Sequence, residues 1–375
     1  MTASFSATKH VPLGLIGLML VFPAPRAQAV EWSAEPSVEL TTEYNDNLNY
    51  ATGPHKSVVG YALSPQVTLK STAELWSLSG LAKISRTDYP SNTIFSHTDH
   101  FLDFAYQRQN ELNQWALGVN LDRDSTLASE LAGTGVPVAR AQRTSNTASP
   151  SWTHTFTERD SATLGYTYND VTYSEGSRFN LLDYKVKDPS ISWQHVLSEK
   201  DQLHVTFDYS DYATKNPVSP ISGRYHFTTK SAQVEYQRSF TDSLKGSLAV
   251  GLRKTNSTID SCFVIGGYCF PVSFASKSNG SLFTTTLAKQ YENSTLTGSF
   301  SRSLQPTGAG GLVQTDHLSA YYNNVITPRL NGTLGLHFYN TRAESTSTIS
   351  STNRYYSLTP ALKWRMTEWL SLIHI

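Results

Sequence analysis

The segment LHVTFDYS, residues 203–210, alternates apolar and polar side chains at every position. The pattern recurs in WALGVNLD at 115–122, LKGSLAVGL at 244–252 and LNGTLGLHF at 330–338. Successive residues of a β-strand point to opposite faces, so each stretch presents one apolar face and one face of small or polar groups. Helical i, i+3, i+4 stripes are absent from the sequence. The pattern predicts an all-β, antiparallel protein.

The composition excludes two broad classes of protein. Lys and Arg total 30 and Asp and Glu total 30, so the formal net charge is +0 and no basic footprint for nucleic acid exists. Aromatic residues make up 11% of the 375 residues, whereas disordered chains are poor in them. We therefore expect a folded protein with no nucleic-acid partner.

The first 29 residues have the pattern of a signal peptide. Lys9 and His10 precede an apolar run at 11–22, and Ala27-Gln28-Ala29 supplies the small-x-small cleavage site. The run is shorter than the roughly 20 residues that a membrane-spanning helix needs. We predict a signal peptide at 1–29 and a single β-barrel domain at 30–375, exported across the inner membrane.

The connections between predicted strands alternate in length. Membrane β-barrels have short turns at one end and long loops at the other, and strands of about 10 residues suit a tilted span. A secreted sandwich, barrel or propeller is the alternative, but its strands are usually about 5–6 residues long. We predict a transmembrane antiparallel up-and-down β-barrel. Short polar turns are expected at 71–74, 110–113, 157–160, 198–201, 241–243, 292–294, 327–329 and 365–368, and long loops at 45–57, 87–98, 124–142, 174–181, 213–224, 254–275, 305–312 and 340–353.

Aromatic side chains are unevenly placed along these strands. Indole prefers the headgroup level of a bilayer, so tryptophans gathered near the short turns predict an aromatic girdle at the periplasmic interface. Tyrosines near the long-loop ends, Tyr44, Tyr173, Tyr209, Tyr212 and Tyr339, predict an outer girdle. The predicted periplasmic girdle consists of Trp76, Trp115, Trp152, Trp193, Trp364 and Trp369.

The number of strands predicted from the sequence is odd. Seventeen strand starts can be placed between Val38 and Trp369, whereas bacterial barrels close with an even number. The sequence stops at Ile373-His374-Ile375, where a terminal aromatic residue, usually Phe, is expected. We predict about 18 strands when complete, about 17 of them present, and a truncated C-terminus.

Few residues in the sequence could form a disulfide, bind a ligand or catalyse a reaction. Cys262 and Cys269 are the two cysteines, and in an exported protein they predict a disulfide within a long loop. The glycine-rich run at 308–311 has no following Lys, so it is interpreted as a loop and not a phosphate cradle. No metal site, cofactor or catalytic group is predicted. An outer-membrane hydrolase with a Ser/His pair stays a third hypothesis, without an assignable pair.

The face opposite the apolar one carries charges of both signs among hydroxyls and amides. Such a lining is typical of a wet lumen without strong anion or cation preference. A barrel of 16 to 18 strands is wide enough for an aqueous channel unless loops plug it. The charged residues predicted to face the lumen are Asp103, Asp122, Lys185, Asp208, Glu235 and Lys363.

The start of the predicted barrel carries PSVEL at 36–40 and YNDN at 44–47. It resembles the P-S-x-x-L strand and Y-x-D-N turn that open a family of outer-membrane β-barrel porins associated with exopolysaccharide and exosortase gene clusters, similar to the protein EpsL. The resemblance implies an outer-membrane barrel assisting polysaccharide export, with no catalytic residues to carry over.

The sequence thus predicts a porin-like channel of the bacterial outer membrane that assists exopolysaccharide export or solute passage. The alternative is a plugged barrel with a structural or surface-interaction role and no transport activity. Expected partners are outer-membrane lipid, the barrel-assembly machinery, and a polysaccharide or small polar solute. No enzymatic activity is predicted.

Overall fold

A computed structural model of the chain describes residues 30–45, 57–126, 129–130, 141–215, 224–265, 268–344, 352–365 and 371–373, and at 45, 262–265, 269 and 371–373 it describes the backbone alone. The predicted signal peptide lies outside this part of the chain. No helix within these ranges is long and apolar enough to cross a bilayer. The strands are β1 Glu31–Asn45, β2 Val58–Thr72, β3 Trp76–Asp88, β4 His97–Gln109, β5 Asn113–Ser125, β6 Gln142–Thr155, β7 Asp160–Tyr173, β8 Tyr184–Val196, β9 Asp201–Thr214, β10 Arg224–Thr241, β11 Leu244–Ile265, β12 Tyr268–Gln290, β13 Ser294–Pro306, β14 Leu312–Thr327, β15 Leu330–Ala343, β16 Thr352–Arg365 and β17 Ser371–Ile373.

The strands form a closed antiparallel ring. Each strand from β1 to β15 pairs with the next in sequence. The ring closes because β16 pairs with β1, with Ala361 opposite Thr41 and Arg365 opposite Ser37. The fold is therefore an all-β up-and-down barrel.

The number of strands around the barrel is lower than the number predicted from the sequence. β17 pairs with residues 31–33 of β1, on the same edge as β16, because the other edge of β1 belongs to β2. β17 thus continues the position of β16 and adds no place, so the barrel has 16 strands and not 17 or 18. The sequence count was too high because it made Trp369 the start of a new strand. Trp369 lies outside the described residues, and the expected truncation stays a prediction.

The two ends of the barrel differ as the loop lengths predict. The connections at 73–75, 110–112, 156–159, 197–200, 242–243, 291–293 and 328–329 are two to four residues long and share one end. The predicted loop at 254–275 is different, because most of it belongs to β11 and β12. These two strands pair from Leu244 opposite Lys289 to Ile265 opposite Tyr268, so they form one long hairpin at the other end.

The two faces of the wall differ in polarity. One face exposes a continuous apolar surface, which includes Leu63, Leu102, Leu164, Phe207, Leu248, Leu318 and Leu358. The opposite face carries hydroxyls and charged groups, as where Ser299 on β13 meets Ser319 on β14 at 2.7 Å between Oγ atoms. The strand period of two separates these faces, so over most of the wall the outward side is apolar and the lumen side is polar.

Candidate functional site: the barrel lumen

The largest buried apolar cluster lies inside the barrel at its long-loop end. Side chains from the ends of four adjacent strands, β7 to β10, point inward there and pack against Leu181 of the β7–β8 connection and Leu312 of β14. We call this cluster and the connections that contribute to it the plug, because it fills part of the lumen. Its members from β7 to β10 are Val171, Tyr173, Tyr184, Val186, Tyr212 and Phe227.

The tip of the β13–β14 hairpin crosses the lumen to reach the plug. The Leu182 N–H donates a hydrogen bond of 2.8 Å to the carbonyl of Gly308, although β8 and β13 are not neighbours in the ring. A Cβ at Gly308 would lie 2.7 Å from the Tyr173 ring. Gly310 has φ +85°, a left-handed conformation that glycine adopts without strain. The glycines predicted to form a plain loop therefore allow close packing.

A buried carboxylate holds the plug together. Tyr173 donates a hydrogen bond from its hydroxyl to Glu130, and the N–H of Gly308 lies 3.4 Å from the other carboxylate oxygen. Burial raises the pKa of Glu130, while the hydrogen bond from Tyr173 and the charge of Arg143 oppose that rise. Glu130 thus joins β7 to the β13–β14 tip, and its ionisation affects the contact.

A second polar link lies beside the plug. Arg253 on β11 forms hydrogen bonds of 2.8 and 3.1 Å with the two carboxylate oxygens of Glu344, just after β15. Burial would raise the pKa of Glu344, but hydrogen bonds from Arg253 and Ser278 bring it below its usual value. A charged pair with matched hydrogen bonds therefore ties the long β11–β12 hairpin to the β14–β15 side of the ring.

The rest of the lumen encloses a cavity of about 1520 Å³ between β1–β4 and β12–β16. Inward rings of β14, β15 and β16 line it, with His317 and Tyr339 stacked at 4.1 Å between ring centroids. His337 accepts or donates a 3.0 Å hydrogen bond to His317 through ring nitrogens. These rings cover one another's faces, and His317 and His337 each use one ring nitrogen in their mutual hydrogen bond.

Five of the six charged residues predicted to face the lumen lie on the lumen face: Asp103, Asp122, Asp208, Glu235 and Lys363. Asp103 accepts a hydrogen bond from Asn120, which is also an inward residue. In the part of the chain that the structure describes, no Lys or Arg forms an ion pair with Asp103, Asp122 or Asp208. Four of these five lumen groups are acidic and one is basic.

Lys185 does not face the lumen and corrects the prediction. It shares the outward face of β8 with Ile191 and Trp193, and its Nζ lies 3.8 Å from Asp170 on β7. Its neighbours Tyr184 and Val186 point into the plug. Near the long loops the lumen side is thus apolar and charges lie outside, the reverse of the pattern elsewhere along the strand.

The tryptophans share one end of the barrel. Trp76, Trp115, Trp152, Trp193 and Trp364 all lie on strand ends next to the short connections. Trp115 and Trp152 are direct cross-strand partners on the outward face, and the Trp152 indole N–H donates a 3.1 Å hydrogen bond to Asn113. This arrangement has the form of an interfacial girdle.

The predicted outer tyrosine girdle is wrong at three positions. Tyr173 and Tyr212 belong to the plug, and Tyr339 stacks on His317 inside the cavity. Tyr44 and Tyr209 lie on the outward parity of β1 and β9. A tyrosine near a long loop can face either side of the wall. At the long-loop end of the barrel, apolar and aromatic side chains also point inward, where they form the plug.

The side chains of Cys262 and Cys269 lie outside the described part of the chain. The backbone register places Cys262 opposite Pro271 and Cys269 opposite Val264, near the end of the β11–β12 hairpin. The disulfide between them stays a prediction.

Sequence reasoning missed the groups that shape the lumen. Glu130 stands in a long connection and Arg253 in a strand, and neither has a motif around it. The signal that could have indicated the plug is the pair Tyr184 and Val186, apolar residues on the parity that is polar further along β8. Among the described residues no three His, Cys, Asp or Glu side chains group as a metal site.

The fold and its lumen define a closed 16-stranded β-barrel, partly filled by its own connections. No protein-family model matches the chain. No curated protein matches it either. Solved structures similar to it include the CymD monoaromatic hydrocarbon channel, 11% identical over 93% of this chain and 90% of that chain with a TM-score of 0.37. The unliganded ferric citrate transporter FecA is 12% identical over 90% of this chain and 57% of its own length, with a TM-score of 0.44. A bacterial polysaccharide outer membrane secretin is 10% identical over 89% of this chain and 99% of its own, with a TM-score of 0.41.

Proposed function

We propose that this protein is a porin-like channel of the bacterial outer membrane that passes polar solutes. The observation that carries the proposal is the contrast between the two faces of one closed wall. The outward face is apolar and ends in tryptophans, whereas the inward face is polar and encloses a cavity of about 1520 Å³. An aqueous passage inside an apolar belt is the arrangement of a membrane channel.

The height of the apolar belt supports the membrane location. On β16 the outward residues between Trp364 and Arg354 include Leu362, Leu358 and Tyr356, which are all exposed. Positions 354 and 364 are ten residues apart, and a tilted strand needs about 9–11 residues to cross the hydrocarbon. Tryptophan at one end and arginine at the other would anchor the strand at the two interfaces.

The position of the plug determines the passage. The plug fills the lumen beside β7–β10, so a solute would cross beside β1–β4 and β13–β16. Hydroxyls, imidazoles and carboxylates line that side, and these groups exchange hydrogen bonds with sugars and other polar solutes. We assign exopolysaccharide as the first solute to test, because of the resemblance of residues 36–47 to porins of exopolysaccharide clusters.

Single-channel conductance in a planar bilayer tests the channel. We expect stable current steps that exopolysaccharide fragments block. Ser319→Trp adds a large side chain inside the cavity and should reduce the step size. Leu318→Trp, the neighbouring outward residue on β14, is the matched control and should leave the step size unchanged. A correctly folded barrel that passes no current, in both the wild type and the control, would contradict the proposal.

The plug favours a second candidate, a structural barrel closed to solutes. Leu181, Gly308 and Glu130 bring three connections together in the lumen, which is the arrangement expected of an occluded barrel. Leu181→Asp weakens this apolar cluster. Current that appears in Leu181→Asp but not in the wild type would support the closed barrel, and equal current in both would support the open channel.

A further inference from the structure

Four lysines lie on the outward face of β8 to β12, where the apolar belt ends. On β10 and β11 the outward cross-strand partners Ala232 and Leu252 are followed, two residues toward the long loops, by Lys230 and Lys254. Side chains two residues apart share a face of a strand, so both lysines lie on the face of Leu252, which is 73% exposed. We call the four exposed lysines the basic patch: Lys187, Lys230, Lys254 and Lys277.

The strand register places the basic patch in two adjacent rows. Cross-strand partners share a face of the sheet, so all members of a row point outward. The lower row consists of Tyr209, Lys230, Lys254 and Asn279. The upper row consists of Lys187, Asp211, Thr228, Asn256 and Lys277. Neighbouring strands are about 4.8 Å apart, so the patch extends roughly 19 Å around the wall from β8 to β12.

Lys230 and Lys254 are direct cross-strand partners of the same charge. Like charges directly opposite each other destabilise a sheet. The ion pairs that lysines form in the described part of the chain involve Lys83, Lys185 and Lys215, and not the basic patch. An anion between the two ammonium groups would remove this repulsion.

A different cation on the same barrel has its counter-charge within the sheet. Arg302 on β13 has Asp316 on β14 as its cross-strand partner, and the two form an ion pair with a shortest contact of 2.6 Å. In the upper row of the patch, Asp211 contacts His226 at 3.2 Å. The two rows together hold four lysines and one carboxylate, so the patch keeps a net positive charge.

The position of the patch indicates what kind of anion it would bind. The row below it is apolar, with Phe207, Ala232 and Leu252 as cross-strand partners. A ligand whose charge contacts the lysines would therefore lay its remaining part against an apolar wall. Phosphate is an anion that lysine binds as a point charge. The amides and hydroxyls between the lysines can exchange hydrogen bonds with sugar hydroxyls.

We propose that the basic patch binds a phosphorylated glycolipid of the outer leaflet, with one phosphate between Lys230 and Lys254 and the acyl chains along Phe207 and Leu252. The site rests on the proposed membrane location, in which the long loops face the exterior of the cell. It lies on the outward face and is separate from the lumen. Binding there would hold the barrel at a fixed height in the membrane.

Native mass spectrometry of the refolded barrel in detergent tests the ligand. The probes are bisphosphorylated lipid A, the same lipid without its phosphates, and phosphatidylglycerol. Lys230→Gln/Lys254→Gln should raise the Kd for bisphosphorylated lipid A about tenfold. Lys200→Gln/Lys289→Gln removes two charges near the short connections and should bind as the wild type does. Equal binding of the dephosphorylated lipid, or of phosphatidylglycerol, would overturn the proposal.

A charge reversal separates lipid binding from folding. Lys230→Glu gives Lys254 a carboxylate partner within the sheet, so the melting temperature without lipid should equal or exceed that of the wild type. Bisphosphorylated lipid A should raise the melting temperature of the wild type and not of the variant. An equal rise in both would exclude the patch as the site. Conductance in a bilayer without glycolipid should be the same for both proteins, so a failure of the channel proposal is detected there, independently of lipid binding.

Discussion

Arg253 on β11 and Glu344 just after β15 form an ion pair inside the barrel wall, near the level at which β12 and β13 stop pairing. Their side chains are 2% and 11% exposed, and the shortest contact is 2.8 Å. The guanidinium passes over Gly280, the register partner of Arg253 on β12, where an added Cβ would lie 2.6 Å from Cζ. The pairing of β12 with β13 stops at Phe283 and Arg302. The ion pair links β11 to the residue after β15, on the two sides of that interruption.

Removal of one partner of this pair should destabilise the barrel strongly. Glu344→Ala leaves a buried guanidinium without its carboxylate, and such a change costs about 3–5 kcal/mol. The double variant Arg253→Met/Glu344→Leu should cost less than the single one, because no buried charge is left. Urea unfolding in detergent micelles measures the difference. Equal stability of Glu344→Ala and the wild type would show that water replaces the pair.

The architecture followed from the sequence because its cause is local. Alternation on β9 places Leu203 outside and Asp208 inside, and the same period of two separates outward-facing and lumen-facing positions on the other strands whose side chains are described. The loop lengths then predict which strand ends lie at the end of the barrel with short connections and which lie at the end with long loops. The closure was misjudged because β16 and β17 use the same edge of β1, a long-range relationship that strand counting cannot detect.

The plug could not be predicted from the sequence, because it is formed by contacts between residues that are distant in the chain. Lys185 and Tyr212 were assigned to the wrong faces because the plug makes the lumen apolar near the long loops. Glu130 and Gly308 are 178 residues apart and meet in the plug. No periodicity or motif in the sequence predicts this contact.

The plug should loosen as the pH rises. Burial raises the pKa of Glu130 above the ordinary value of 4.5, despite the hydrogen bond from Tyr173. The docked plug therefore holds a proton that the released plug gives up, so docking is strongest below 4.5 and weakens as the pH passes the raised value. Conductance should increase with pH across this range. Glu130→Gln keeps the neutral form and should remove the pH dependence, and an unchanged profile in that variant would contradict the assignment.

The lumen carboxylates should make the channel prefer cations. Asp208 faces the lumen and accepts a 3.3 Å hydrogen bond from Ser231, whereas Asp211 on the same strand faces outward and contacts His226 at 3.2 Å. Asp208→Asn should lower the potassium-to-chloride permeability ratio, measured from the reversal potential in a KCl gradient. Asp211→Asn removes the same charge on the other face and should leave the ratio unchanged. Equal effects of the two variants would place the conducting path elsewhere.

The tryptophan girdle should lie at the lipid interface near the short connections. Trp115 and Trp152 are cross-strand partners on the outward face, and both rings are exposed. Indole favours the headgroup level because its ring is apolar and its N–H is polar. Lipids brominated near the headgroup should therefore quench their fluorescence more than lipids brominated at the chain ends. Trp115→Phe/Trp152→Phe should reduce the quenched fraction, whereas a depth profile centred on the chain ends would move the girdle into the hydrocarbon and contradict the membrane boundary drawn from Trp364 to Arg354.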